Sequence, residues 1–218
     1  MNKSDVLRQI TGTGIIPVVR AQSADEAKQA VEAIKEGGIS VLEITMTVPG
    51  AVRVIEEVAR LYDADAVVGA GTVLDAETAR LCILAGARFI VSPALDAETI
   101  ACCRGYGVVV LPGAMTPTEV LAAWKAGADL VKGFPAGSVG GAAFIKNLKA
   151  PLPQIELVPT GGVSLKTAAD FIKAGAAALG VGTDLVDTTA LRGGNARTIT
   201  ERARQFVHIV KEARASMS

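Results

Sequence analysis

The chain is poor in the residues that most often advertise chemistry. Its 218 positions include one histidine, one tryptophan, two tyrosines and three cysteines. The single histidine, His208, sits in the polar stretch ERARQFVHIVKEARA, so a zinc site, which takes several His, Cys or carboxylate ligands, finds almost no donors. Cys82, Cys102 and Cys103 are odd in number and two are adjacent, a poor disulfide framework. All three fall in helical patterns, where a small buried hydrophobe is the plain reading. Neither charge is in excess: 22 basic residues balance 22 acidic ones, and aromatics make up 4%. That excludes the basic footprint and stacking platform of a nucleic-acid binder. No apolar run is long enough to span a bilayer. The opening MNKSDVLRQITGTG lacks the apolar segment of a secretory signal. The expectation is a cytoplasmic globular domain with no membrane or nucleic-acid partner.

What the chain does have is a repeat of short β-rich runs, each followed by a helical pattern. The runs are GIIPVVR (14–20), SVLEITMT (40–47), AVVGAGTV (66–73), RFIVSPA (88–94), VVVLPGAM (108–115), DLVKGFP (129–135), IELVPTGGV (155–163) and ALGVGTDLV (178–186). Ser23, Asp75, Thr116 and Ser164 are placed to cap the helices between them. Glycines in EGG, AGA and GYG are placed to end them. Eight strand–helix units without a linker predict one (β/α)8 barrel, an α/β single domain over 1–218. A short helix over 1–13 would cover its floor, and 187–218 would form a C-terminal helical segment. An open doubly wound sheet is the alternative, but no G-x-G-x-x-G follows the first strand.

In LVKGFP, an ammonium group interrupts an apolar strand. Burial without a partner is costly for Lys132, and losing the proton relieves the cost and leaves a nucleophile. If Leu42, Ile44 and Met46 face the helices, Glu43, Thr45 and Thr47 face the lumen. Arg20 ends the inward run Ile16, Val18, Arg20. The bland alternative is a Glu43–Lys132 ion pair that merely fills the barrel, a poor source of stability once desolvation is counted. Beyond the seventh strand, Gly161 and Gly162 lead to a helix opened by Ser164. Beyond the eighth lie Gly182 and Thr183. Glycines at those two loops suit a phosphate cradle.

In order along the chain, GIIPVVR, GGISVLEIT, VVGAGTVLD, FIVSPALD, LPGAMTPTE, VKGFPA and VPTGGVS resemble the family of 2-keto-3-deoxy-6-phosphogluconate aldolase and 4-hydroxy-2-oxoglutarate aldolase. The resemblance implies a metal-free class I enzyme, without cofactor, in which Lys132 of K-x-F-P forms a Schiff base with a 2-oxo acid. Glu43 of L-E-I-T would be the general acid and base. Thr72 of GAGT, Thr160 of PTGG and Pro93 of SP would line the pocket beside Phe134. Gly161, Gly162, Gly182 and Thr183 would take the phosphate of an aldehyde phosphate. A homotrimer is implied as well. Many members carry arginine where this chain has Thr47; Thr47 is still expected among the substrate-binding residues, but the substrate carboxylate needs other donors. Arg20 and the backbone N–H groups near Gly71 and Thr72 are the candidates. Gly133 also departs from the bulky apolar residue common there, with a packing effect expected. Competing readings are the galactonate epimer as substrate, a sugar-phosphate isomerase or epimerase, and a non-catalytic sugar-phosphate binder.

Overall fold

A computed structural model describes residues 1–217 as alternating helices and strands. The strands are β1 (Ile15–Val19), β2 (Val41–Thr45), β3 (Val67–Gly71), β4 (Phe89–Val91), β5 (Val109–Leu111), β6 (Gly113–Ala114), β7 (Val131–Gly133), β8 (Leu157–Pro159) and β9 (Leu179–Val181). Every pairing among them is parallel. The order is β5-β4-β3-β2-β1-β9 in one sheet and β6-β7-β8 in a second. The run expected as one strand over 108–115 is split at Pro112, which has no N–H to give the ladder. Its carbonyl still accepts from the Lys132 N–H at 2.9 Å. Two isolated bridges, Leu157↔Ala176 and Thr160↔Gly180, link β8 to the β9 region. The result is an α/β fold whose parallel sheet curls on itself.

Local chemistry explains the helices. In α2 (Ala24–Glu36) the Ser23 side chain accepts from the Glu26 N–H, and Ala27, Ala30, Val31 and Ile34 recur at helical spacing on the buried face. Asp75 caps α4 (Ala76–Leu84) in the same way. Thr116 and Glu119 form a reciprocal capping box on α6 (Pro117–Ala126), which ends at Gly127 with φ 98°. Ser164 does not cap as expected. The helix there, α8 (Ala168–Lys173), starts four residues later, because Ser164 and Thr167 first close a turn on each other. Helices α3 (Ala51–Tyr62), α5 (Ala97–Gly105) and α7 (Ala142–Lys149) complete the outer layer, with α9 (Thr188–Arg192) and α10 (Arg197–Ala215) in the C-terminal segment. Ser218, at the end of the segment expected over 187–218, lies outside the described residues. No helix among those described is long and apolar enough to cross a membrane.

Alternation along the strands divides the core in two. Ile15, Val19, Leu42, Ile44, Val68, Ala70 and Val131 pack outward against the helices. Ile16, Val41, Val67, Phe89, Val91, Val109, Leu111 and Val158 pack inward. The inner set is closed from below by α1 (Lys3–Thr13), whose Val6 and Ile10 join it. Burying an isoleucine this fully stabilises by about 2 kcal/mol, and Ile10 is 0% exposed. Gly69 makes room in this layer, since a Cβ there would lie 2.4 Å from the Phe89 ring.

Candidate active site

Above the apolar layers the inward positions turn polar. Glu43 in β2 faces Gly69 of β3 and Val18 of β1, and Lys132 in β7 faces Gly113 of β6 and Val158 of β8. Each is 3% exposed. No carboxylate among the described residues comes within the 4.0 Å of an ion pair with Lys132. Its Nζ lies 5.0 Å from the centroid of the Phe134 ring. Glu43 Oε1 is buried and has no hydrogen-bond partner. The space-filling ion pair is therefore not what is built: the two groups feel each other's charge without touching.

Burial pushes the Glu43 carboxyl above its usual 4.5, with Lys132 and Arg20 pulling it back. Burial pulls the Lys132 amine below 10.5; Glu43 opposes that shift and Arg20 adds to it. Both shifts favour a neutral amine beside a protonatable carboxyl, the pairing that nucleophilic and proton-transfer chemistry needs. Gly71 sets where the carboxyl lies. A Cβ there would stand 1.9 Å from Glu43 Oε1 and 2.6 Å from its Cδ.

Around this pair, the buried Thr45 hydroxyl lies 3.0 Å from the Val19 carbonyl and 2.6 Å from the exposed Thr47 hydroxyl. Thr45 has one hydroxyl proton, and it goes to the carbonyl, so Thr47 donates to Thr45 and keeps only acceptor capacity for anything else. Thr47 thus offers no free proton to a substrate carboxylate. Thr72 holds a left-handed φ of 56°, a conformation costing a β-branched residue about 1 kcal/mol or more. Half-buried Pro93 closes the wall between β4 and β6. Its carbonyl oxygen would be 2.2 Å from a Cβ on Gly113.

Arg20, Phe134, Thr160, Gly161, Gly162, Gly182 and Thr183, all expected from the sequence, line one cavity of about 120 Å³. Gly161 and Gly162 have φ of 85° and 76°, which a side chain would strain. The helix N-terminus expected next to them is replaced by a turn, in which the Thr167 hydroxyl donates to the Gly162 carbonyl at 2.9 Å. Gly180 and Asp184 also line this cavity and were not foreseen. Gly180 is required because a Cβ there would fall 2.1 Å from Thr160 Oγ1. Only the strand register could have revealed that. Cys82 and Cys103 are buried, and desolvation pushes their thiols up to about 11 and about 12. They behave as core residues.

A curled parallel sheet that holds a buried amine and a buried carboxyl apart, beside a glycine-lined cavity, is the arrangement of an enzyme that pairs an amine nucleophile with a proton-transfer group. Comparison narrows the class. The family model described as "Aldolase: KDPG and KHG aldolase" matches residues 6–202, and the chain belongs to that family. It is 34% identical over 196 residues to 2-dehydro-3-deoxy-phosphogluconate aldolase of Treponema pallidum, covering 90% of this chain and 93% of that one. It is 36% identical over 200 residues to 2-dehydro-3-deoxy-6-phosphogalactonate aldolase of Escherichia coli, covering 91% and 95%. Among solved structures, the KDPG aldolase of Legionella pneumophila, with pyruvate captured as a covalent carbinolamine, superposes with a TM-score of 0.84 at 28% identity, covering 94% of this chain and 97% of that one.

Proposed function

We propose that the protein is a class I aldolase that cleaves 2-keto-3-deoxy-6-phosphogluconate to pyruvate and glyceraldehyde 3-phosphate, using Lys132 and no metal or cofactor. One observation carries the reading: a buried Lys132 amine, depressed by desolvation and free of any ion pair, shares its lumen with an unpartnered Glu43 carboxyl. The amine attacks C2 of the oxo acid, and loss of water gives an iminium. That cation draws the C3–C4 bonding electrons as Glu43 takes the C4 hydroxyl proton. The aldehyde leaves, an enamine remains, Glu43 returns a proton to C3, and water releases pyruvate. Gly161, Gly162, Gly182 and Thr183 take the phosphate. Arg20, expected at the substrate carboxylate, lines their cavity and joins them instead. The backbone N–H groups near Gly71 and Thr72 are left for the carboxylate, while Pro93, Phe134 and Thr160 line the path to the amine.

The test is intact mass after incubation with pyruvate and borohydride. A reduced pyruvate adduct on the wild type and none on Lys132→Met is the expected result. A folded wild type without adduct removes the reading. A second reading, the galactonate epimer as substrate, is favoured by the near-equal likeness to relatives of both names. Relative kcat/KM on the two epimers and on 4-hydroxy-2-oxoglutarate ranks them.

The same reading takes the two sheets, joined at Thr160↔Gly180 and closed at Ile15↔Leu179, as one (β/α)8 barrel and one domain. It takes the working form as a cytoplasmic homotrimer. Exposed Leu74, Leu81, Leu84, Tyr106, Met115 and Trp124 supply apolar surface for such contacts, and native mass measures it. Three unpaired thiols suit a reducing compartment.

A further inference from the structure

The loop after β9 carries Gly182, Thr183 and Asp184 into the wall of the small cavity. Two arginines outside that cavity hold the loop. Arg202, early in α10, donates from Nη1 to the Thr183 carbonyl at 3.3 Å and stands 3.2 Å from Asp187 Oδ2. Asp187 in turn accepts from the Ala190 N–H at the start of α9. At the other end of α9, Arg192 reaches Glu26 Oε1 at 3.0 Å. The second oxygen of this buried carboxylate accepts from the Gln22 N–H at 2.6 Å, two residues beyond Arg20. The two loops that flank the cavity, one with Arg20 and one with Thr183, are thus joined through α9.

The first of these contacts has a directional consequence. In a trans peptide the carbonyl of one residue and the N–H of the next point opposite ways. The bond between Thr183 and Asp184 is trans, the sole cis peptide among the described residues being Phe134–Pro135. With the Thr183 carbonyl turned to α10 by Arg202, the Asp184 N–H points away from α10, and both residues line the cavity. A flipped peptide would present a carbonyl to an anion there, and repel it.

We propose that Arg202 is the positioning residue of this anion subsite: it fixes the Thr183–Asp184 peptide so that an N–H meets a phosphate group, while the Arg192–Glu26 pair keeps the Arg20 wall in place. The identity of the phosphorylated substrate rests on the aldolase reading; the phosphate chemistry does not. Arg202 does not itself line the cavity.

The test compares wild type, Arg202→Met, Arg202→Lys and Glu26→Gln for inorganic phosphate affinity by calorimetry. Alongside it, kcat and KM are measured on 2-keto-3-deoxy-6-phosphogluconate and on unphosphorylated 4-hydroxy-2-oxoglutarate. Losing the Arg202 contacts to Thr183 and Asp187 should release the peptide, and with it about one hydrogen bond to the anion, so phosphate weakens and KM for the phosphorylated substrate rises about tenfold, with partial rescue in Arg202→Lys. The unphosphorylated substrate should be unaffected. Unchanged phosphate affinity in a folded Arg202→Met overturns the assignment, as does an equal rise in KM for both substrates. If Arg202→Met does not fold, Arg202→Lys and Glu26→Gln decide by the same readouts. A wild type that binds phosphate but forms no pyruvate adduct loses the aldolase reading, and the calorimetric arm alone then decides the role of Arg202.

Discussion

Gly71→Ala isolates the placement of Glu43 from its chemistry. The added methyl would stand 1.9 Å from Oε1, about 1.5 Å short of an ordinary contact of 3.4 Å, so the carboxyl must retreat by about that much. The backbone at Gly71 is not left-handed, so alanine adds no backbone strain. A misplacement of about 1 Å at a reacting group costs about a hundredfold in rate. The carboxyl has a free oxygen and can yield, so overpacking should cost about 1 kcal/mol, the low end for a small-to-large change. In a chain of this size that is a fall of about 2–4 °C in Tm. The expected result is kcat/KM down about a hundredfold with Tm nearly kept. Glu43→Ala/Gly71→Ala should recover the lost stability but no activity. Gly69→Ala, on the same strand face but against Phe89, should do the reverse and lose Tm more than its share of rate. A folded Gly71→Ala within about threefold of wild-type kcat/KM would show that the Glu43 position is not what limits the reaction.

Adduct formation with pyruvate needs the neutral amine, so its rate should climb with pH through the depressed Lys132 pKa and level off before 10.5; a midpoint at or above 10.5 in a pH–rate profile refutes the desolvation account. For stability the two groups act oppositely. Between its folded pKa and 10.5, Lys132 holds fewer protons folded than unfolded, so its contribution rises with pH across that window. Glu43 holds more protons folded than unfolded between 4.5 and its raised pKa, so its contribution falls as pH rises there. Urea titrations of wild type against Glu43→Gln/Lys132→Met at several pH values measure both slopes. Ile10→Ala, emptying part of the floor, should cost about 2–5 kcal/mol by urea unfolding while leaving KM unchanged. Cys82 and Cys103 should stay unlabelled by a thiol reagent at pH 8 until the protein is unfolded.

The sequence made the strand faces legible, because alternation in LEIT and LVKGF leaves one parity apolar and the other not. That alone placed Glu43, Lys132 and Phe134 on the inner side, where they stand. It also made legible the caps that one hydroxyl or carboxylate settles locally, at Ser23, Asp75 and Thr116. Ser164 misled because Thr167, three residues on, competes for its N–H and delays the helix. In the sequence Gly71 offers only its backbone N–H, and Gly69 and Gly180 offer no signal. Their real role is to vacate space for Phe89, Glu43 and Thr160, and it depends on cross-strand register that one sequence does not carry. Arg202 and Glu26 carry no local signal in the sequence. Their partners are 19 and 166 residues away, beyond any local pattern.

The helix that stops the floor of the curled sheet also bears on the traffic. With Val6 and Ile10 seated among the inner residues, that end of the curled sheet is filled by apolar side chains, so the polar inward positions are served from the opposite end. In the proposed cleavage the keto-acid half stays tethered to the amine at the closed end, while the aldehyde half lies nearer the opening. Release is then sequential like a queue in a blind alley: aldehyde first, pyruvate last. In the synthetic direction pyruvate must enter before the aldehyde, and excess aldehyde should obstruct it.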